Sequence, residues 1–421
     1  MSGDAPVTCL ATDASFSRAL SEARPMAIAA LSAHFGDLDR AEDALAEALV
    51  ALTQSGAAPD NLAGWLVTVG KRKGIDAIRK RDARQRADDG AMEIRDIQEG
   101  DMGNVIELPD PISDERLRLI FICCHPALAL EARAALALKV ICGLPVPAIA
   151  ELFLTSEATM FQRITRAKAK IAGAKVSFEL PPRREWPERI EAVLLALELA
   201  YTSAYADAGH SRPGNEGGEM AGEVERLATM LVELLPNEPE VLGLAALVTL
   251  ARSREAARVD TGGAMVPLSQ QDIEFWDLGR IERARSWLDE AQKAERLGPY
   301  QVMASIQLTH ARRVFGGPVD WTAILTLYDA LMMVRPGPMV ALNRALALAQ
   351  VEGAEAGLDA LEPLGDPGLA KTRPFHVARA RLLEALGRDA EAREAVGQAL
   401  LRDPPVAERL YLERWRDGLA R

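Results

Sequence analysis

The sequence predicts an all-α protein in which two small helical domains, the second a helix-turn-helix, precede a helical-repeat domain. Three observations carry that prediction. Apolar residues recur every three or four positions, as in Ala41, Ala44, Leu45, Ala48, Leu49 and Leu52 or in Met160, Ile164, Ala167 and Ile171, a spacing that gathers them on one face of an α-helix. Residues 185–421 are rich in Ala and Leu and almost lack strand-like alternation. Within them ALNRALALAQVEGAEAGLDAL (341–361) aligns with ARARLLEALGRDAEAREAV (378–396), bringing Gly353 over Gly387 at a separation of 34 residues.

From about Phe16 to Arg86 the pattern is helical. The apolar stripe beginning at Ala41 leaves Asp39, Glu42, Asp43 and Glu47 as an acidic opposite side, which suits either a partner surface or a plain solvated face. Next comes the apolar-aromatic stretch Gly64 to Val69, then KRKGIDAIRKRDARQR (71–86), with 8 basic residues against 2 acids. Trp65, Val69, Ile75 and Ile78 are expected to share a buried side, with Lys71, Arg72, Arg79 and Lys80 projecting elsewhere as a nucleic-acid patch or a solvated face. Residues 88–115 hold 10 acids and one base, Arg95, among several Gly and Pro. This composition predicts a flexible acidic linker, and Ser113-Asp114-Glu115 is expected to cap the helix that follows.

Residues 145–171, PVPAIAELFLTSEATMFQRITRAKAKI, read as the helix-turn-helix. Ile149, Leu152 and Phe153 sit at helical spacing, Leu154-Thr155-Ser156 supplies the turn, and Ser156 is an N-cap residue. The stripe Met160, Ile164, Ala167 and Ile171 leaves Thr159, Gln162, Arg163, Arg166 and Lys170 pointing outward, a set that suits a DNA major groove. Five Lys or Arg and no acid fall between Arg163 and Lys175, the charge that phosphate contacts require. Pro181, Pro182 and Pro187 mark the next boundary. Residues 188–300 read as helical without a clear period. Beyond them the 34-residue spacing is the tetratricopeptide period, and Pro336 and Pro404 lie 68 residues apart, twice that period.

Composition narrows the function. The formal net charge is −12 over 421 residues, so nucleic-acid binding has to be local to the two basic segments rather than a coating activity. Four cysteines (Cys9, Cys123, Cys124, Cys142) do not make a disulfide framework for a chain of this size, and no leader pattern or long apolar run is seen. A reduced, cytoplasmic setting without a membrane partner is expected. Cys123-Cys124-His125 lacks a second ligand pair, so no metal is expected, and the small thiols are expected to pack in a helix. No nucleophile elbow, phosphate-binding glycine loop or dinucleotide fingerprint occurs; neither catalytic residues nor a cofactor is expected.

These segments together resemble the extracytoplasmic-function group of bacterial RNA polymerase sigma factors. DLDRAEDALAEAL (37–49) is similar to the group's acidic helix that docks on the polymerase's largest subunit, and GWLVTVGKRKGIDAIRKR (64–81) to its segment for opening and reading the −10 promoter element. SEATMFQRITRAKAKI (156–171) is similar to its −35 reader. One departure stands at Ala46, where many members carry Gln. The resemblance implies sigma region 2 at 10–87, the linker at 88–115 and region 4 at 116–180, with core RNA polymerase and promoter DNA as partners. It implies polymerase docking for Asp39, Glu42, Asp43 and Glu47. It implies −10 contacts for Trp65, Lys71, Arg72, Lys73, Arg79 and Lys80. For −35 contacts it implies Ser156, Thr159, Gln162, Arg163, Arg166, Lys168 and Lys170, with Gln162, Arg163 and Arg166 reading bases and Thr159, Lys168 and Lys170 touching phosphate. Residues 185–421 match the subgroup with a long, tetratricopeptide-like C-terminal extension, through LELAYTSAYADAGH (197–210) and ARVDTGGAMVPLSQQDIEFWD (257–277). That extension is expected to regulate activity through contact with the sigma domains. Two readings without polymerase stay open, a helix-turn-helix regulator on a two-fold DNA site and a repeat-type adaptor. Whether the linker enters the polymerase channel or is a plain tether also stays open.

Overall fold

The computed structural model describes residues 14–55, 59–88, 119–141, 143–153, 155–173, 182–207, 216–365 and 368–419. The fold is all-α; among the described residues there is no strand, only an isolated bridge between Val259 and Met265. The chain divides into two compact units, residues 1–200 and 201–421. The expected linker at 88–115 lies outside the described residues except for Asp88, as do the expected Ser113-Asp114-Glu115 cap and Cys9 and Cys142.

The first unit opens with α1 (Ala14–Phe35), α2 (Leu38–Ser55) and α3 (Leu62–Asp88), packed on one another. Each turn has a local cause. Gly36 takes a left-handed φ of 61° after α1, a conformation that L side chains resist. The Asp37 carboxylate accepts hydrogen bonds from the amides of Asp39 (2.9 Å) and Arg40 (3.1 Å), which caps α2. Asn61 does the same for α3 by accepting from Gly64 N at 2.9 Å. On α2 the expected stripe is buried at Ala41, Ala44, Leu45, Ala48 and Leu52, with Leu49 half-buried.

The expected buried side of α3 is corrected. Leu62, Ala63, Leu66 and Val67 are buried, whereas Trp65, Val69 and Ile78 are half-buried and Ile75 is exposed. Two glycines explain the rotation. A Cβ on Gly70 would lie 2.9 Å from Leu31 Cδ1, and one on Gly74 would clash with the Phe35 ring edge. These positions are where α1 and α2 press against the α3 backbone, so the helix turns these glycines inward and leaves Trp65, Val69, Ile75 and Ile78 partly or wholly out.

The rest of the first unit is a helical stretch at 119–123, then α4 (Leu130–Val140), α5 (Val146–Leu152), α6 (Glu157–Gly173) and the part of α7 (Trp186–Asp207) up to residue 200. Arg133 on α4 is buried and acts as a tie. It donates from Nε to Leu128 O and from Nη2 to Pro126 O, both at 2.8 Å, and from Nη2 to Glu188 Oε1 at 3.0 Å. Arg189 donates to Phe121 O at 2.9 Å, and the Phe121 and Trp186 rings lie 5.1 Å apart. The first turns of α7 are thereby fixed to the α4–α6 cluster. The side chains of Cys123 and Cys124 are buried in that joint, and burial pushes the Cys124 thiol up to about 12.

The second unit contains α8 (Glu216–Leu234), α9 (Pro239–Arg252), α10 (Leu278–Gln292), α11 (Pro299–Ala311), α12 (Trp321–Val334), α13 (Pro338–Glu352), α14 (Ala354–Leu361), α15 (Arg373–Ala385), α16 (Asp389–Leu400) and α17 (Val406–Gly418). Its core runs in successive patches along the chain. Ala246, Leu250, Trp276, Ile281, Ala284 and Leu288 form one; Val302, Ile306, Ile324, Leu331 and Ala347 another; Leu342, Leu361, Phe375, Leu383, Val396 and Leu412 a third. Each patch joins helices that follow one another along the chain. Gly353 and Gly387 are the turn residues of the pairs α13–α14 and α15–α16, both with positive φ (102° and 70°).

Close helix crossings hold the unit. A Cβ on Gly243 of α9 would lie 2.6 Å from Gln301 N of α11. The Glu240 carboxylate caps α11 by accepting from the amides of Tyr300 (3.0 Å) and Gln301 (3.2 Å). Buried Glu225 of α8 pairs with Arg252 at 2.9 Å and Arg280 at 3.0 Å. Residues 253–277 form an irregular segment between α9 and α10, whose loop docks on the last helix through Asp260–Arg414 (2.6 Å) and Met265 N to Ala407 O (2.8 Å).

Candidate nucleic-acid interface

The helix-turn-helix is formed by α5 and α6. Phe153 N donates to Ile149 O and Thr155 N to Ala150 O, closing α5. Ser156 then opens α6, its hydroxyl accepting from Thr159 N at 3.2 Å and lying 2.8 Å from the Thr159 hydroxyl. Met160, Ile164, Ala167 and Ile171 are buried as one stripe against α4 and α5. That burial fixes the rotation of α6, and a fixed rotation is what lets a recognition helix present the same side chains to every DNA site.

Ser156, Thr159, Gln162, Arg166 and Lys170 are exposed, while Arg163 and Lys168 are half-buried. Thr159, Gln162, Arg163, Arg166 and Lys170 share one groove of about 320 Å³ with Leu128, Ala129 and Ala132, between α6 and the N-terminal end of α4. The Arg163 guanidinium pairs with Glu131 at 3.0 Å and lies 5.8 Å from the centre of the Phe153 ring. A planar cation held by a carboxylate and a ring is pre-oriented.

Lys168 is not part of that groove. Its ammonium donates to Asp39 Oδ1 at 3.0 Å and Glu42 Oε2 at 2.5 Å, both on α2. Burial works against its charge, but the hydrogen bonds to Glu42 and Asp39 outweigh burial, so its pKa is raised. Asp43 and Glu47, further along the same acidic side of α2, are exposed.

On α3, a 27-residue helix, Lys71 is half-buried and Arg72, Lys73, Arg79 and Lys80 are exposed. Half-buried Trp65 stands at its N-terminal end. The first unit thus carries two cationic helices, α3 and α6, and one acidic helix face on α2. Among the described residues no three His, Cys, Asp or Glu side chains are grouped to hold a metal ion, and no helix is long and apolar enough to cross a membrane.

Sequence reasoning did not find Glu131 or Phe153 as neighbours of Arg163, nor Phe161, which stands 63% exposed on α6. Only an aromatic at a non-stripe position in a basic helix signals Phe161. Nothing in the sequence signals Glu131, because the pairing depends on how α4 crosses α6.

Comparison with known proteins agrees with this architecture. Residues 118–171, which include α4, α5 and nearly all of α6, match the family model described as sigma-70, region 4. Residues 189–292, from α7 through α10, match a family of unknown function, DUF6596. An uncharacterized protein of Rhizobium meliloti (strain 1021) is 39% identical over 410 residues, covering 96% of this chain and 95% of the relative. The chain belongs to one family with that relative, and its residues 118–171 are similar to region 4 of the sigma-70 proteins.

Proposed function

We propose that this protein is a sigma factor of the extracytoplasmic-function group, which directs core RNA polymerase to specific promoters and does no covalent chemistry itself. The observation that carries this reading is the pairing of a region 4 match with a separate three-helix domain bearing both an acidic face on α2 and a cationic helix, α3. A DNA-binding regulator acting alone has use for α6; the acidic face and second cationic helix give polymerase docking and promoter melting their own surfaces.

In this reading residues 10–87 form region 2 and residues 116–180 region 4, joined through the acidic stretch at 88–115. Asp39, Glu42, Asp43 and Glu47 dock on the polymerase. Lys71, Arg72, Lys73, Arg79 and Lys80 hold phosphates or the separated strand at the −10 element, with Trp65 supporting them. Gln162, Arg163 and Arg166 read the −35 bases, because an Arg fork spans guanine O6 and N7, while Thr159 and Lys170 position the backbone. The helical pairs of residues 185–421 are a tetratricopeptide-like extension that regulates activity in cis, and the protein works in the cytoplasm without cofactor.

Two substitutions separate the roles. Arg166→Ala is expected to relax base preference at the −35 element by about 1–3 kcal/mol, whereas Lys170→Ala weakens all promoters alike and lowers the salt slope. Competition binding on a panel of −35 variants, with core polymerase present, reads both. Equal losses on every sequence for both variants would reduce Arg166 to a phosphate contact.

A further inference from the structure

We infer that Lys168 is the hinge pin of a self-masking contact, in which region 4 of the free chain covers the polymerase-docking face of α2. The masking consequence rests on the polymerase reading above; the contact itself does not.

Three observations support it. First, Lys168 lies on a different stripe of α6 from the reading residues. Phe161, Thr165 and Lys168 follow one another at spacings of four and three, on a side that is neither the buried stripe nor the groove of Gln162 and Arg166. Its ammonium is nonetheless well shielded, with the side chain 13% exposed, because it is spent on Asp39 and Glu42. Second, these acids are two of the four that give α2 its acidic face, so the contact occupies half of that face. Third, the surroundings are charged rather than apolar. Lys139 of α4 stands near enough to Arg24, Glu42 and Lys168 that, after burial, Arg24 and Lys168 depress its pKa while Glu42 opposes them. A side chain on Gly143, in the turn after α4, would lie 3.2 Å from an Arg24 guanidinium nitrogen of α1.

The apolar stripe of α2 is already used on α1 and α3, and that of α6 on α4 and α5. Charge joins what remains. Such a contact is directional, opens without exposing core, and weakens as salt screens it over a Debye length of about 8–10 Å at physiological strength. It has the properties of a reversible clasp. A polymerase surface that competes for Asp39 and Glu42 releases α6 as it docks, so docking and −35 reading become coupled.

The test uses the full-length protein. Zero-length carbodiimide crosslinking of the free chain at low salt, read by mass spectrometry, is expected to join Lys168 to Asp39 or Glu42. The yield should fall at high salt, with the exposed Lys293–Glu290 pair (2.6 Å) as internal control. Absence of that crosslink while the control forms overturns the contact. Lys168→Glu places a carboxylate against Asp39 and Glu42 and is expected to tighten binding of core polymerase about tenfold, the gain that follows if about one tenth of the wild-type chain is open. Lys168→Arg keeps the wild-type affinity. A crosslink without tighter core binding by Lys168→Glu overturns the masking. Failure of both wild type and Lys168→Glu to bind core, with the crosslink present, overturns the polymerase reading and the masking with it, and upholds the contact.

Discussion

At the scale of single residues, the structure distinguishes side chains that look alike in the sequence. Ser156 was expected among the DNA contacts, and its hydroxyl is already engaged at the start of α6. Ser156→Ala is therefore expected to cost about 1 kcal/mol of stability by loss of the cap, read as a shift in the denaturation midpoint. A loss of DNA affinity with unchanged stability would instead make Ser156 a phosphate contact only. His310 on α11 shows a different effect. Burial, with Arg254 and Arg313 adding to it, lowers its pKa from 6.5 to about 4. The unfolded chain therefore takes up a proton below pH 6.5 that the folded chain refuses until about pH 4. The stability this group contributes is complete above 6.5 and is lost progressively as pH falls toward 4. Urea unfolding at pH 7 and pH 5 should show the decline, and His310→Phe should flatten it; an identical pH slope in that variant would remove His310 as the cause.

At the scale of elements, legibility followed the kind of contact involved. The α6 stripe and Ser156 cap were readable because they depend on residues three or four apart in one helix. The turn glycines Gly353 and Gly387 were readable as a period, and both adopt positive φ. The buried side of α3 was misread because Gly70 and Gly74 carry no hydrophobic signal. Only the closeness of Leu31, Phe35 and Ala44 shows that a bare backbone is what that side requires. Residues 188–300 showed no period because the irregular segment 253–277 separates α9 from α10. The partners of Arg163 and Lys168 lie on other helices, so spacing alone was silent about them. Close crossings also predict where the second unit is least tolerant. Gly243→Ala drives a methyl group into the backbone of Tyr300 and Gln301 and is expected to cost about 1–3 kcal/mol. Thermal unfolding measures it, and no change would mean that α9 and α11 slide apart freely.

At the scale of the whole molecule, the joint between region 4 and the segment after it is structural. Arg133–Glu188, Arg189 to Phe121 O and the Phe121–Trp186 contact all cross the proline boundary at 181–182. A chain ending at residue 182 loses all three and uncovers the joint that holds Cys124. It is expected to be less stable than a chain ending at 207, and its Cys124 to react faster with a thiol-alkylating reagent; equal stability and equal labelling would make the first turns of α7 dispensable. The central claim is that one chain combines polymerase docking with promoter reading. Run-off transcription with purified core RNA polymerase on a promoter library, with and without the full-length protein, tests it most directly. The account predicts that the protein selects a small set of promoters sharing −35 and −10 elements, and that reversing Asp43 and Glu47 to Lys abolishes initiation from them. DNA binding to a two-fold site without core, and no transcript with it, would contradict the account.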